Sequence, residues 1–227
     1  INFMDYKKKL PKFSKYLNKI SKKYLENKIK LYQDLSSQHS GSRNQTEKRW
    51  RLIKKKLIKD NIKNLLDLGS AEGYFLKKTS EIGIMSLGVE ADERKFFLSN
   101  IISEKKNIYG VLNNTINTKL IKLLPNFEST LYLSVHHHIA ANFGYKFANK
   151  ILIEIYKNSK KTMFFETAMK GENSKSWNKN YSKNLKLITE ENIKKLFLKH
   201  GCKKIQILGY TESYNKGFKR PLFYILK

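Results

Sequence analysis

From Asp60 onward the apolar residues fall into short runs separated by longer stretches in which they recur every three or four positions. Short continuous runs suit strands buried on both faces, and the spaced stretches suit amphipathic crossover helices, so the pattern is that of a parallel sheet wound with helices. The runs predict strands over residues 62–68, 85–90, 108–112, 129–135, 162–166, 204–210 and 221–226. The stretches between predict helices over 72–80, 92–103, 117–123, 145–158 and 189–200. Thr189 is an N-cap candidate for the last helix and Gly201 its stop. Only TESYNKGFKR (211–220) separates the last two strands, too short for a crossover, so they read as an antiparallel hairpin. The expected fold class is α/β: a doubly wound, mostly parallel seven-stranded sheet with an antiparallel last strand, preceded by N-terminal helices.

Ahead of that pattern, residues 6–31 carry Leu10, Phe13, Leu17, Ile20, Tyr24 and Leu31 at mostly helical spacing, with lysines between them. This basic amphipathic helix either packs on the domain or on another chain, or lies on an anionic membrane surface. The polar, glycine-containing stretch 36–46, SSQHSGSRNQT, reads as a loop before a second helix over 47–59. The expected division is therefore helix and loop over 1–45 and a catalytic domain over 46–227.

Composition changes this picture little. The 227 residues, 40% hydrophobic, suffice for one sizeable core. Cys202 is the single cysteine, which excludes an intramolecular disulfide framework, and no apolar run reaches the roughly 18 residues that a membrane span needs. The opening residues, INFMDYKKKL, lack the apolar core of a signal peptide, and Met4 is not the first of them, which suits a piece of a longer chain. A reducing cytoplasm is the expected location, with peripheral membrane attachment open through the N-terminal helix. The formal charge of +27 points toward a polyanion. Only five of the 46 basic residues are arginine, however (Arg43, Arg49, Arg51, Arg94, Arg220), and guanidinium is the group that reads phosphates and bases bidentately. That weakens the polyanion reading in favour of a solvated lysine-rich surface, with RNA binding the alternative.

The candidate chemistry begins in LLDLGSAEGYF (65–75), where an apolar strand ends in Asp67 and turns through Gly69 and Gly73 into a helix. Small residues there let a ligand approach the backbone, but the middle glycine of the dinucleotide fingerprint is missing, so a cofactor without a pyrophosphate fits better. The second strand ends in GVEAD (88–92), which places Glu90 where an acid can accept both ribose hydroxyl protons, while Asp92 reads as a helix N-cap. The fourth strand runs into LYLSVHHHIA (131–140), bringing Ser134 and three histidines to the carboxyl end of the sheet. His137 or His138 is either a base or acceptor-orienting group, or packing around the cofactor. Adjacent histidines do not converge on one metal ion, so no metal site is expected.

The first motif is similar to that of class I S-adenosylmethionine-dependent methyltransferases, a resemblance that extends over residues 60–227. It implies that S-adenosyl-L-methionine is the cofactor and that Asp67 holds its amino acid end, with Gly69, Ser70 and Gly73 making room for the methionine portion. Asn113 or Asn114, at the end of the third strand, stands where such enzymes often carry an acid that contacts adenine. Arg43 is a candidate partner for the cofactor carboxylate, and Ser134 joins the cofactor set. SVHHHI, FFETAMKGENSKSW (164–177) and KRPLFYI (219–225) further resemble the methyltransferase domains of O-antigen chain-terminating enzymes. By that resemblance Glu166, Glu172, Trp177 and Arg220 line the acceptor pocket, Glu166 near the reacting atoms and Arg220 as an anion clamp. The sequence lacks an Asp/Asn-Pro-Pro-aromatic motif after the fourth strand and a cysteine nucleophile there, which counts against methylation of nucleic acid bases. The expected activity is O-methylation of a saccharide or phosphorylated saccharide. An RNA methyltransferase and a noncatalytic S-adenosylmethionine-binding subunit are the alternatives, and a small-molecule or glycan acceptor is the expected partner.

Overall fold

The computed structural model describes residues 40–104, 109–172, 185–213 and 217–227. Helix α1 (Ser40–Lys59) leads into β1 (Asn64–Leu68), α2 (Tyr74–Ser80), β2 (Met85–Glu90), α3 (Glu93–Glu104), β3 (Tyr109–Asn113), α4 (Thr118–Leu123) and β4 (Ser129–Leu133). There follow α5 (His136–Phe143), α6 (Tyr145–Asn158), β5 (Thr162–Glu166), α7 (Glu190–Lys199), β6 (Lys204–Glu212) and β7 (Lys219–Leu226). The seven strands form one sheet in the order β3-β2-β1-β4-β5-β7-β6. Six run parallel, and β7 lies antiparallel between β5 and β6. This is the doubly wound sheet expected from the pattern.

Neighbouring residues of the central strands bury opposite faces. Leu66, Leu68, Tyr132, Phe165 and Phe223 pack under α4, α6 and α7 in one cluster, while Leu65, Leu131, Leu133, Phe164 and Leu222 pack under α1 and α2 in the other. Two buried faces explain why these strands read as continuous apolar runs rather than as alternation. Helix α7 has the start that the sequence pointed to, with Asn192 N–H donating to Thr189 Oγ1 at 3.1 Å.

Two elements depart from expectation. Helix α1 begins at Ser40, inside the stretch that reads as a loop, and so runs through the expected division at residue 46. From Gln45 on, this helix meets the end of the sheet: Gln45 Oε1 accepts from Glu212 N–H at 3.0 Å, and Arg49 reaches Glu166. Further along, Trp50, Ile53 and Leu57 are buried at helical spacing, which makes α1 part of the core. The other departure is α5, since the fourth strand ends at Leu133 and residues 136–143 coil into a helix. Ser134, at φ 59°, makes the turn between them. The amphipathic stretch 6–31 lies outside the described residues.

Ile53 is fully buried. We expect Ile53→Ala to cost about 2–4 kcal/mol of unfolding free energy in urea denaturation; unchanged stability would show α1 to be an attachment rather than core.

Candidate functional site

Strand order reverses between β1 and β4, and the crevice outside their carboxyl ends is where open α/β sheets bind ligands. A cleft of about 750 Å³ opens there, bounded by the ends of β1, β2, β4 and β5, the first turns of α1, and the β6–β7 hairpin.

Its floor is the β1–α2 turn. Gly69 sits at φ 81°, and a Cβ there would meet Val135 Cγ2 at 2.3 Å, so only glycine lets the two loops close together. Between Gly69 and Gly73, Ala71 is held at φ 49°, a left-handed conformation unusual for alanine. Its N–H donates to Glu90 Oε2 at 2.8 Å, and Asp92 N–H donates to Glu90 Oε1 at 2.8 Å. Glu90 is thus fixed at the cleft wall, and each oxygen keeps a lone pair for a further donor. Ser70 is buried against β2, where a Cβ on Gly88 would meet its Oγ at 2.8 Å; it packs the turn and does not line the cleft. Gly73 is the N-cap of α2 at φ 81° and likewise stands behind the lining.

Asp67 ends this floor almost entirely buried, and its Oδ2 has no hydrogen-bond partner. Burial, and then the charge of Glu90, push its carboxyl up to about 8. Arg49 supplies the complement from α1. Its Nη1 donates to Glu166 Oε1 at 3.0 Å and its Nη2 to Thr46 Oγ1 at 3.1 Å, but its buried Nε has no partner. Asp67 and Arg49 both line the cleft, and behind its surface each keeps one polar atom without a partner, so a ligand with an ammonium and a carboxylate complements the two side chains.

Arginine 49 is the residue that sequence reasoning missed. The arginine singled out there, Arg43, lies six residues earlier in α1, about 9 Å along the helix axis, and its side chain is outside the described part of the structure. The signal that could have found Arg49 is its place beside Trp50 at the buried edge of the helix. Asn113 and Asn114 are also displaced from their expected role. Asn113 Nδ2 donates to the Glu90 carbonyl at 3.0 Å and Asn114 Oδ1 accepts from Thr115 N–H at 2.8 Å. Both are exposed and absent from the lining, and the chain enters the cleft only after them, at Thr115, Ile116 and Asn117.

The far wall is a linked pair of ion pairs. Glu166 Oε1 accepts from Arg49 and from Ser134 Oγ at 2.8 Å, while Oε2 accepts from Thr211 Oγ1 at 2.9 Å. Arg220 grips Glu172 with its fork, Nε to Oε2 at 2.9 Å and Nη2 to Oε1 at 2.6 Å, and Nη1 donates to Ser134 Oγ at 3.2 Å. Ser134 joins the two pairs. Burying these carboxylates without such partners would be costly. Two expectations change as a result. Glu166, with both oxygens engaged, holds Ser134 and Arg49 in place rather than meeting the reacting atoms. The fork that would clamp an acceptor anion is already closed on Glu172. Trp177 lies outside the described residues.

The three histidines separate. His136 is core: its Nε2 pairs with Asn149 Oδ1 at 3.0 Å, its ring packs edge-on to Phe165, and burial pushes it down to about 4. His137 and His138 line the cleft with ring centroids 4.2 Å apart. Burial, followed by the charge of Arg220, holds His137 well below its ordinary value, and its Nδ1 accepts from Ala168 N–H at 3.2 Å. That acceptance leaves the proton of the neutral ring on Nε2. His138 keeps a solvent-exposed edge, yet partial burial, then Arg220 and Lys95, also lower its value. Two imidazoles uncharged at neutral pH thus face the cleft.

No protein-family model matches the sequence, and no curated protein matches it. Solved structures match its fold. The bifunctional kinase-methyltransferase WbdD superposes with a TM-score of 0.66 at 19% identity, over 78% of this chain and 39% of that one. Magnesium protoporphyrin IX methyltransferase (ChlM) from Synechocystis PCC 6803, solved with bound SAM, gives 0.63 at 12% identity over 83% and 82%. EvdMO1 gives 0.57 at 16% identity over 79% and 40%. The chain therefore spans about two fifths of the length of WbdD and of EvdMO1. The likeness establishes the class I methyltransferase fold.

Asp67 supplies a pH test. Its folded value stands above the ordinary 3.8, so the unfolded chain releases this proton first and stability falls as pH rises from about 4 to about 8. Asp67→Asn removes that penalty. The variant should melt higher than wild type at pH 9 and close to it at pH 4; equal melting temperatures at pH 9 would mean that Asp67 is not desolvated.

Proposed function

We propose that this chain is an S-adenosylmethionine-dependent O-methyltransferase acting on a saccharide hydroxyl. One observation carries the cofactor: Asp67 and Arg49, an acid and a guanidinium that each keep unused hydrogen-bonding capacity, line the same cleft as Gly69 and Glu90. In that arrangement Asp67 would hold the cofactor's amino group and Arg49 its carboxylate. The bare backbone at Gly69 admits the methionyl chain, and the free lone pairs of Glu90 accept the ribose hydroxyls. ChlM, of the same fold, is solved with SAM and with SAH bound. The cofactor supplies a methyl group on a sulfonium, which leaves as a neutral thioether, so the protein's task is alignment and desolvation rather than acid assistance.

The acceptor reading rests on charge. Among the described residues the lining carries Arg49, Lys95 and Arg220 against Asp67, Glu90, Glu166 and Glu212. Lys95 is the one lysine among the described residues of this lining. Tracking a nucleic acid backbone needs a cationic groove, and a clamp for a phosphate needs an open guanidinium fork, which Arg220 spends on Glu172. A neutral polyhydroxyl acceptor suits the balance better. Its hydroxyl must lose a proton, and His138, uncharged and exposed on the cleft, is placed to take it. His137 presents Nε2–H and orients.

Calorimetric titration with S-adenosylhomocysteine, then methyl-transfer assays against methyl glycosides, sugar phosphates and RNA at two salt concentrations, tests both halves. Binding with salt-insensitive, glycoside-dependent turnover is expected. No binding would overturn the cofactor assignment; RNA-dependent turnover with a steep salt dependence would overturn the acceptor. Because a base must be unprotonated, kcat should rise with pH through a midpoint below 6.5 and be flat by neutrality. We expect His138→Gln to lower kcat by about 10²- to 10⁴-fold and abolish that acid limb, with the limb retained in His137→Gln.

A further inference from the structure

We infer that Phe143 and Phe147 form a subsite for the flat, C–H-bearing face of a sugar ring in the acceptor. This rests on the saccharide reading and extends it to residues that the catalytic argument leaves unused. The two phenylalanines flank the elbow between α5 and α6, where the chain turns at Gly144 (φ 89°). They are 65% and 42% exposed, and their ring centroids lie 5.5 Å apart at an angle of 50°. Neither ring is needed to hold the elbow, because these helices are anchored in the core by Ala140, Ala148, Ile151, Leu152, Ile153, Ile155 and Tyr156. Exposed adjacent aromatics at a cleft mouth are unfavourable in water unless a ligand covers them.

Their surroundings define the ligand. Both rings line the same cleft as His138, with Ile116 and Ile139 adding apolar surface and Lys95 and Asn142 polar groups. Asn142 is tied to the His138 turn, its Nδ2 donating to the His138 carbonyl at 2.9 Å. Phe143 follows His138 by five residues of the same helix, about 7.5 Å along its axis, so the shelf begins one to two turns from the base. A ligand here must be apolar on one face and hydrogen-bonding around its edge. A pyranose has that character: its axial C–H bonds stack on phenyl faces, and its equatorial hydroxyls reach the lysine and the amide.

The test uses the full chain with S-adenosylhomocysteine bound and a panel of methyl glycosides and glycan oligomers. Saturation-transfer NMR reads direct contact, and steady-state kinetics separates KM from kcat. Replacing both rings, Phe143→Ala with Phe147→Ala, should raise the acceptor KM at least tenfold with kcat within twofold, because a ring bound alike in ground and transition states changes only KM. Affinity for S-adenosylhomocysteine and the melting temperature should stay at wild-type values, since both rings are exposed. Phe143→Tyr with Phe147→Tyr should keep the wild-type KM, whereas leucine at both positions, apolar without a flat face, should behave like alanine. Glycoside turnover in wild type with an unmoved KM in the alanine variant would overturn the subsite alone. Cofactor binding without any glycoside contact or turnover in wild type would overturn the saccharide reading and the subsite with it.

Discussion

A carboxylate held out of water without a partner is the constraint around which this structure is arranged. Asp67 lies near the carboxyl end of β1, beside the point where the strand order reverses, with Glu90 nearby adding like charge. Such a group costs stability while it is unpaired and gains it from a bound cation, which is how a binding site differs from a packed core. Much of the rest serves to keep that position. Gly69 permits the close approach of the β4–α5 turn, and Ala71, bent into a conformation alanine disfavours, anchors Glu90. Strain accepted at this turn is consistent with a site whose geometry is fixed before the ligand binds.

The opposite wall solves a different problem with similar economy. Two arginines and two glutamates converge there, from α1, β5, the segment after β5, and β7, and Ser134 joins them. Removing either member of a pair would leave a buried charge uncompensated, so these four residues and Ser134 act as one unit. The balance also sets the electrostatic character of the cleft. Among the described residues the lining is close to balanced in charge, with Lys95 its one lysine.

The histidine run shows how neighbours in sequence diverge in chemistry. Helical geometry turns His136 into the core against Phe165 and leaves His137 and His138 on the cleft. The backbone N–H of Ala168, just past the end of β5, donates to His137 Nδ1 and so leaves the ring proton on Nε2. Nothing local to the tripeptide encodes that distinction.

Periodicity alone determined the architecture, because strands buried on two faces and helices buried on one leave different spacings of apolar residues; β2, β5 and α6 have the bounds that the pattern predicts. The turn through Asp67, Gly69 and Gly73 and the acid at Glu90 were legible for a similar reason, since strand, glycines and helix must follow one another locally to build such a site. What lay beyond reach was every contact made between distant segments. Arg49 meets Glu166 across 117 residues and Arg220 meets Glu172 across 48, so neither the arginine that enters the cleft nor the closure of the Arg220 fork has a local signature. Gln45 falls in the stretch that reads as a loop for the same reason: its partner, Glu212, arrives only when the sheet is complete. Local order follows from side-chain spacing, whereas the pairing of charges depends on which strand ends the sheet topology brings together.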